Sequence, residues 1–79
     1  MERGAVVIAS AGKEKGGLYA VTQVLDSRFV LIADGRRRTL NRPKKKNIAH
    51  LMRTNHVIPE ITTDRQLRIT LRDFIEEVK

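Results

Sequence analysis

Phe29-Val30-Leu31-Ile32-Ala33-Asp34-Gly35 is the stretch that decides the fold class. Its apolar, partly β-branched run suits a buried strand, and Asp-Gly is a strong hairpin signal because both residues tolerate the left-handed conformation of a type I′ turn. Arg36 to Leu40 is therefore expected to return as a fourth strand, polar apart from Leu40. Upstream, Leu18 to Leu25 reads as a strand that Asp26-Ser27 turns into the Arg28–Ala33 strand. Ala5-Val6-Val7-Ile8-Ala9 is an apolar run too short for a helix, and Ala11 to Gly17 forms a wet turn whose glycines allow positive φ. Downstream, Pro43 interrupts, and the segment around His50-Leu51-Met52-Arg53 can close the sheet as a fifth strand. Four or five short strands joined by tight turns are too few for a sandwich. The economical solution is a mainly β fold, a small SH3-like barrel, which leaves few free edges.

The tail changes period. Thr63-Asp64-Arg65-Gln66 has the form of a capping box, with Thr63 as N-cap and Gln66 reaching back. Leu67, Leu71, Phe74, Ile75 and Val78 then recur at helical spacing, which predicts a C-terminal α-helix from about Asp64 to Glu77. A helix of this length is marginal alone in water, so it must dock. Residues 1–58 are expected to form the barrel, and residues 59–79 a linker and an amphipathic helix packed on it.

Sixteen Lys and Arg against nine Asp and Glu leave a net charge of +7. From Asp64 onward bases and acids balance, so the whole excess lies in residues 1–63. Arg36, Arg37, Arg38, Arg42, Lys44, Lys45 and Lys46 crowd into one acid-free segment, read as a loop, which repels itself unless a polyanion is near. Lys13 and Lys15 add charge in the first turn, where glycines such as Gly16 let backbone amides approach a phosphate. Tyr19, Phe29 and Phe74 are the sole aromatics. Phe29 and Phe74 read as core, and Tyr19 as a barrel residue with a wet hydroxyl. Without an aromatic platform, recognition is expected to rest on RNA phosphates and shape instead of stacked bases.

Catalysis has little support. His50 and His56 have no carboxylate placed to orient them and no third ligand for a metal. Ser10 and Ser27 lack the strand–turn–helix setting of a nucleophile elbow, and the glycines make no phosphate-loop pattern. With no cysteine there is no disulfide or thiolate site. The expectation is a non-enzyme without cofactor or metal. No apolar run approaches the roughly 20 residues of a membrane span. Met1-Glu2-Arg3-Gly4 and the residues after it lack a signal-peptide pattern, so a cytoplasmic protein with no membrane partner is expected.

Gly4 to Ile8, Lys13-Glu14-Lys15-Gly16 and Tyr19 to Val24 together resemble a KOW motif, a strand, a glycine-bearing turn and a second strand. Phe29 to Gly35, Arg42-Pro43-Lys44-Lys45-Lys46-Asn47 and Ala49-His50-Leu51 extend the likeness over roughly residues 3–57. The chain is similar to bacterial KOW-domain RNA-binding proteins related to the large-subunit ribosomal proteins of the fourteen-e, twenty-seven-e and six-e group. The resemblance implies an SH3-like barrel that binds ribosomal RNA, with Gly16 as the turn glycine and Lys13, Lys15 and the loop 36–47 facing RNA. His50 is grouped with them, ribosomal proteins are further expected partners, and the chain is read as a monomer. Gly17 stands where ribosomal members usually place a basic residue, and the tail is short and charge-neutral, so an obligate ribosomal subunit and a dissociable factor both stay open. A protein-interaction module and a transcription-associated KOW module are the alternatives.

Overall fold

The structure, a computed structural model, describes residues 1–77. Five strands, β1 (Ala5–Ala9), β2 (Leu18–Val24), β3 (Phe29–Ala33), β4 (Lys44–Asn47) and β5 (Leu51–Val57), precede one helix, α1 (Asp64–Glu77). They form a single antiparallel sheet in the order β4-β3-β2-β1-β5. Held flat, such a sheet would separate its edge strands by about 19 Å, at ~4.8 Å per strand. Yet β4 and β5 are joined only by the 3₁₀ turn Ile48–His50, a span of about 6 Å at ~2 Å per residue. The sheet must therefore bend strongly. Register shifts between Val21 and Gln23 and between Ala5 and Val7 supply part of that bend, because a bulge increases local twist. Among the described residues no ladder joins β4 to β5, so the sheet is bent but open where a closed barrel was expected.

Both faces of the sheet are covered. On one, Val7, Val21, Val30 and Ile32 pack with Tyr19 and with Ala5 and Ala9, and Met1, Ile48 and Leu51 flank them. On the other, Val6, Ala20 and Ala33 meet Ile58 and the helical residues Leu67 and Leu71. The two alanines are cross-strand partners, and their small side chains let α1 approach closely. Thr63 Oγ1 accepts a hydrogen bond from the Gln66 amide (3.1 Å), while the Gln66 side chain accepts from the Thr62 amide (3.4 Å), one residue earlier than a strict capping box. Asp64 Oδ1 accepts from the Leu40 amide (2.8 Å), and the Arg68 guanidinium donates to the Gly35 carbonyl (2.8 Å). A Cβ on Gly35, whose φ is +80°, would collide with the Asp64 carbonyl. The His56 ring lies 5.2 Å from that of Phe74, a further contact between β5 and α1.

Several sequence expectations change. Arg36–Leu40 is an irregular loop, not a strand; the return strand is Lys44–Asn47, in register with Phe29–Ile32. The cause lies at Asp34, whose Oδ1 accepts from the amides of Arg36 (2.9 Å) and Arg38 (3.0 Å) and so curls the chain away from the ladder. Only Gly35 has positive φ here, so the turn is not type I′. The fifth strand runs on to Val57, and His50 belongs to the 3₁₀ turn. Phe29 and Phe74 are half-buried, not fully core. Val78, assigned to the apolar stripe, lies outside the described residues.

Candidate nucleic-acid interface

The site is organised by a residue that charge counting passes over. The first turn is closed by the Lys15 amide donating to the Gly12 carbonyl (3.2 Å) and the Gly17 amide to the Glu14 carbonyl (2.9 Å), with positive φ at Gly12 and Gly16. This folds Glu14 inward, where it is buried. Its Oε1 lies 3.1 Å from Lys46 Nζ and its Oε2 3.2 Å from the Arg38 guanidinium. Lys46 Nζ also donates to the Ala11 carbonyl (2.8 Å), and Gly12 leaves room for it, since a Cβ there would lie 2.7 Å from the ammonium. The hydrogen bond from Lys46 does most to hold the Glu14 carboxyl below its ordinary value of 4.5; burial opposes it and Arg38 reinforces it. One carboxylate thus ties the first turn to Arg38 and Lys46, 24 and 32 residues further along the chain. The only sequence signal for it is a lone acid inside a glycine-rich turn flanked by lysines.

The consequence is a shared basic surface. Lys13, Arg37 and Arg38 line a single cleft of about 340 Å³ with Glu14 and Tyr19. Burial foremost, and the Asp34 carboxylate next, push the Tyr19 hydroxyl above its ordinary value, so it remains a donor at neutral pH. Lys15 and Gly16 are exposed in the same turn. Along β4 the side chains alternate, so Lys44 and Lys46 share one face and Lys45 takes the other. Lys44 is close enough to Glu14 to lower its carboxyl further. Lys45 Nζ instead sits 4.6 Å from the centroid of the Phe29 ring.

The remaining predicted residues are dispersed or occupied. Lys46 is buried in its ion pair, and the Asn47 side chain accepts from the Ala49 amide (2.9 Å) to cap the 3₁₀ turn. Exposed His50 is tied by its carbonyl to the Ser10 amide (2.8 Å), and Arg42 is exposed beyond the loop. Arg36 turns the other way and lines a separate groove with Arg68 and Arg72. Those two helical arginines escaped the sequence reading because they lie on a charge-balanced segment. At the opposite turn, the amides of Arg28 and Phe29 hold the exposed Asp26 carboxyl below its ordinary range.

No helix among the described residues is long and apolar enough to cross a membrane. No family model matches the chain. A curated Bacillus subtilis (strain 168) protein named "Putative ribosome-binding protein YbzG" is 46% identical to it over 50 residues, which span 63% of this chain and 68% of that protein. With that identity over more than two thirds of the relative, the chain belongs to the family of this Bacillus subtilis protein.

Proposed function

We propose that this chain is a ribosome-associated RNA-binding module of the KOW, SH3-like kind that grips ribosomal RNA through phosphate and shape contacts, not an enzyme. The observation that carries this reading is the cleft that gathers Lys13, Arg37 and Arg38 from two separate loops around one carboxylate. Lys15 and Lys44 extend its positive field, while Arg42, Lys45 and His50 are exposed without lining the cleft. Gly16 offers a side-chain-free, exposed approach for a phosphate, with nothing within 4 Å of where its Cβ would be. Lys46 and Asn47 serve this surface from within, the first by holding Glu14 and the second by capping the turn beside β4. A ribosomal partner is consistent with the name borne by the relative, and a cytoplasmic place follows from that partner.

Co-sedimentation with isolated ribosomal subunits tests the proposal. The combined Lys13→Ala and Arg37→Ala variant should lose association several-fold, while Arg65→Ala, an exposed cation on α1, should retain it. Equal retention by both variants would remove the cleft from the interface.

A further inference from the structure

On the far side of the Arg36–Arg38 loop, that loop and α1 enclose a second groove of about 250 Å³. Leu18, Leu71 and Ile75 give it apolar lining, and Arg36, Arg68 and Arg72 give it cations. Asp34 lines it as well, but that carboxylate is engaged by the backbone amides that shape the loop. Arg68 is fixed by its bond to the Gly35 carbonyl, whereas Arg36 and Arg72 are exposed, and Arg72 pairs with its neighbour Asp73 (3.3 Å). Leu67 and Leu71 use up the sheet-facing part of the helical stripe, which leaves Ile75 42% exposed. The groove is smaller than the roughly 300–1,000 Å³ typical of small-molecule pockets, and it suits a single anchoring side chain.

We propose that this groove docks an acidic peptide segment, with one aliphatic side chain against Leu18, Leu71 and Ile75 and flanking carboxylates on Arg36 and Arg72. Three arginines line the groove against Asp34, which is occupied, and the Arg72–Asp73 pair is solvent-exposed and weak, so the lining is complementary to acid. The planar guanidinium matches a carboxylate in bidentate fashion. An apolar anchor ringed by charge is also how a few residues come to dominate a peptide interface. The phosphate contacts proposed for the basic cleft would leave the aliphatic lining of Leu18, Leu71 and Ile75 unused, which favours a peptide here. The inference does not depend on the RNA reading.

The test is an NMR titration of the isotope-labelled full chain with a short synthetic peptide of Asp and Glu around a central Leu. Two analogues accompany it, one with the Leu replaced by Ser and one with every acid replaced by its amide. Amide shifts should concentrate at Leu18, Leu71 and Ile75, and each analogue should bind about tenfold more weakly or worse. Ile75→Ser and Arg72→Gln, both at exposed positions, should weaken the peptide several-fold and leave affinity for a ribosomal RNA fragment within about twofold. Equal binding of the Ser analogue, shifts confined to the Lys13–Arg37 cleft, or no binding would each overturn the proposal. So would an RNA fragment that displaces the peptide from Ile75, which would assign the groove to the nucleic-acid surface.

Discussion

Replacing Lys46 with alanine removes the cation on which Glu14 depends. The two side chains are 8% and 7% exposed, and their charged atoms are 3.1 Å apart. At an effective dielectric of about 20, the attraction at that distance is worth about 5 kcal/mol before the cost of desolvating both ions. Removing one member of such a pair strands the other, which typically costs about 3–5 kcal/mol. Arg38 still reaches Glu14 at 3.2 Å but is 36% exposed, so the loss should fall near the lower end. A loss of about 3 kcal/mol lowers Tm by about 12–24 °C in a domain of this size. Lys45→Ala is the charge-matched control. It surrenders only the contact with Phe29, about 0.5–1 kcal/mol or at most about 8 °C.

Thermal melts followed by circular dichroism across pH give a second readout of the same pair. The Glu14 carboxyl lies below 4.5 in the folded protein, so its stabilisation is fully present above that value and is lost as pH falls through the lowered one. In Lys46→Ala this acid-dependent part should shrink, and a Glu14→Leu, Lys46→Met pair should recover part of the loss by leaving no stranded charge. Equal Tm values for Lys46→Ala and Lys45→Ala would refute the reasoning. The expected loss at Lys46 bears on binding studies, because alanine at Lys44, Lys45 and Lys46 together would then disturb the fold as well as the surface.

Gly35→Ala should destabilise by more than about 1–2 kcal/mol, since the residue sits at φ +80° and its new methyl group would meet the Asp64 carbonyl; a melt within 2 °C of the parent would contradict this. Thr63→Ala removes the acceptor for the Gln66 amide and should cost about 1 kcal/mol, a fall of about 4–8 °C in Tm. Ending the chain after Thr63 uncovers Val6, Ala20 and Ala33 and forgoes the burial of Leu67 and Leu71, about 3–6 kcal/mol together. Unchanged thermal stability of that truncated chain would mean that α1 contributes nothing to the fold.

The parts legible in the sequence are those whose causes are local. The β-branched runs at Ala5–Ala9 and Phe29–Ala33 and the Thr63 cap specify their elements within a few residues, and β1, β3 and α1 fall where those signals place them. Lys44–Asn47 carries no such pattern. It is a strand because Lys46 finds Glu14, 32 residues earlier in the chain, and can then lie buried on the ladder. The failed hairpin reading has the opposite cause, a side chain at Asp34 that competes locally with the ladder for the backbone. For the candidate site, composition located the cations but not their grouping. Nothing in the sequence joins Lys13 to Arg37, or Arg36 to Arg72; the folded chain does so through Glu14 and through the Arg68–Gly35 contact.

The most direct test of RNA recognition through the basic cleft is a salt series of binding to a ribosomal RNA fragment and to duplex DNA of matched length. Five phosphate contacts from Lys13, Lys15, Arg37, Arg38 and Lys44 should give a slope of log affinity on log salt of about −3.5 to −4.5, at about 0.7–0.9 per contact. RNA should bind more tightly at every salt concentration, and the combined Lys13→Ala and Arg37→Ala variant should flatten the slope by about 1.4–1.8. Equal affinity for RNA and DNA, or a slope that the double variant leaves unchanged, would contradict RNA recognition by this cleft.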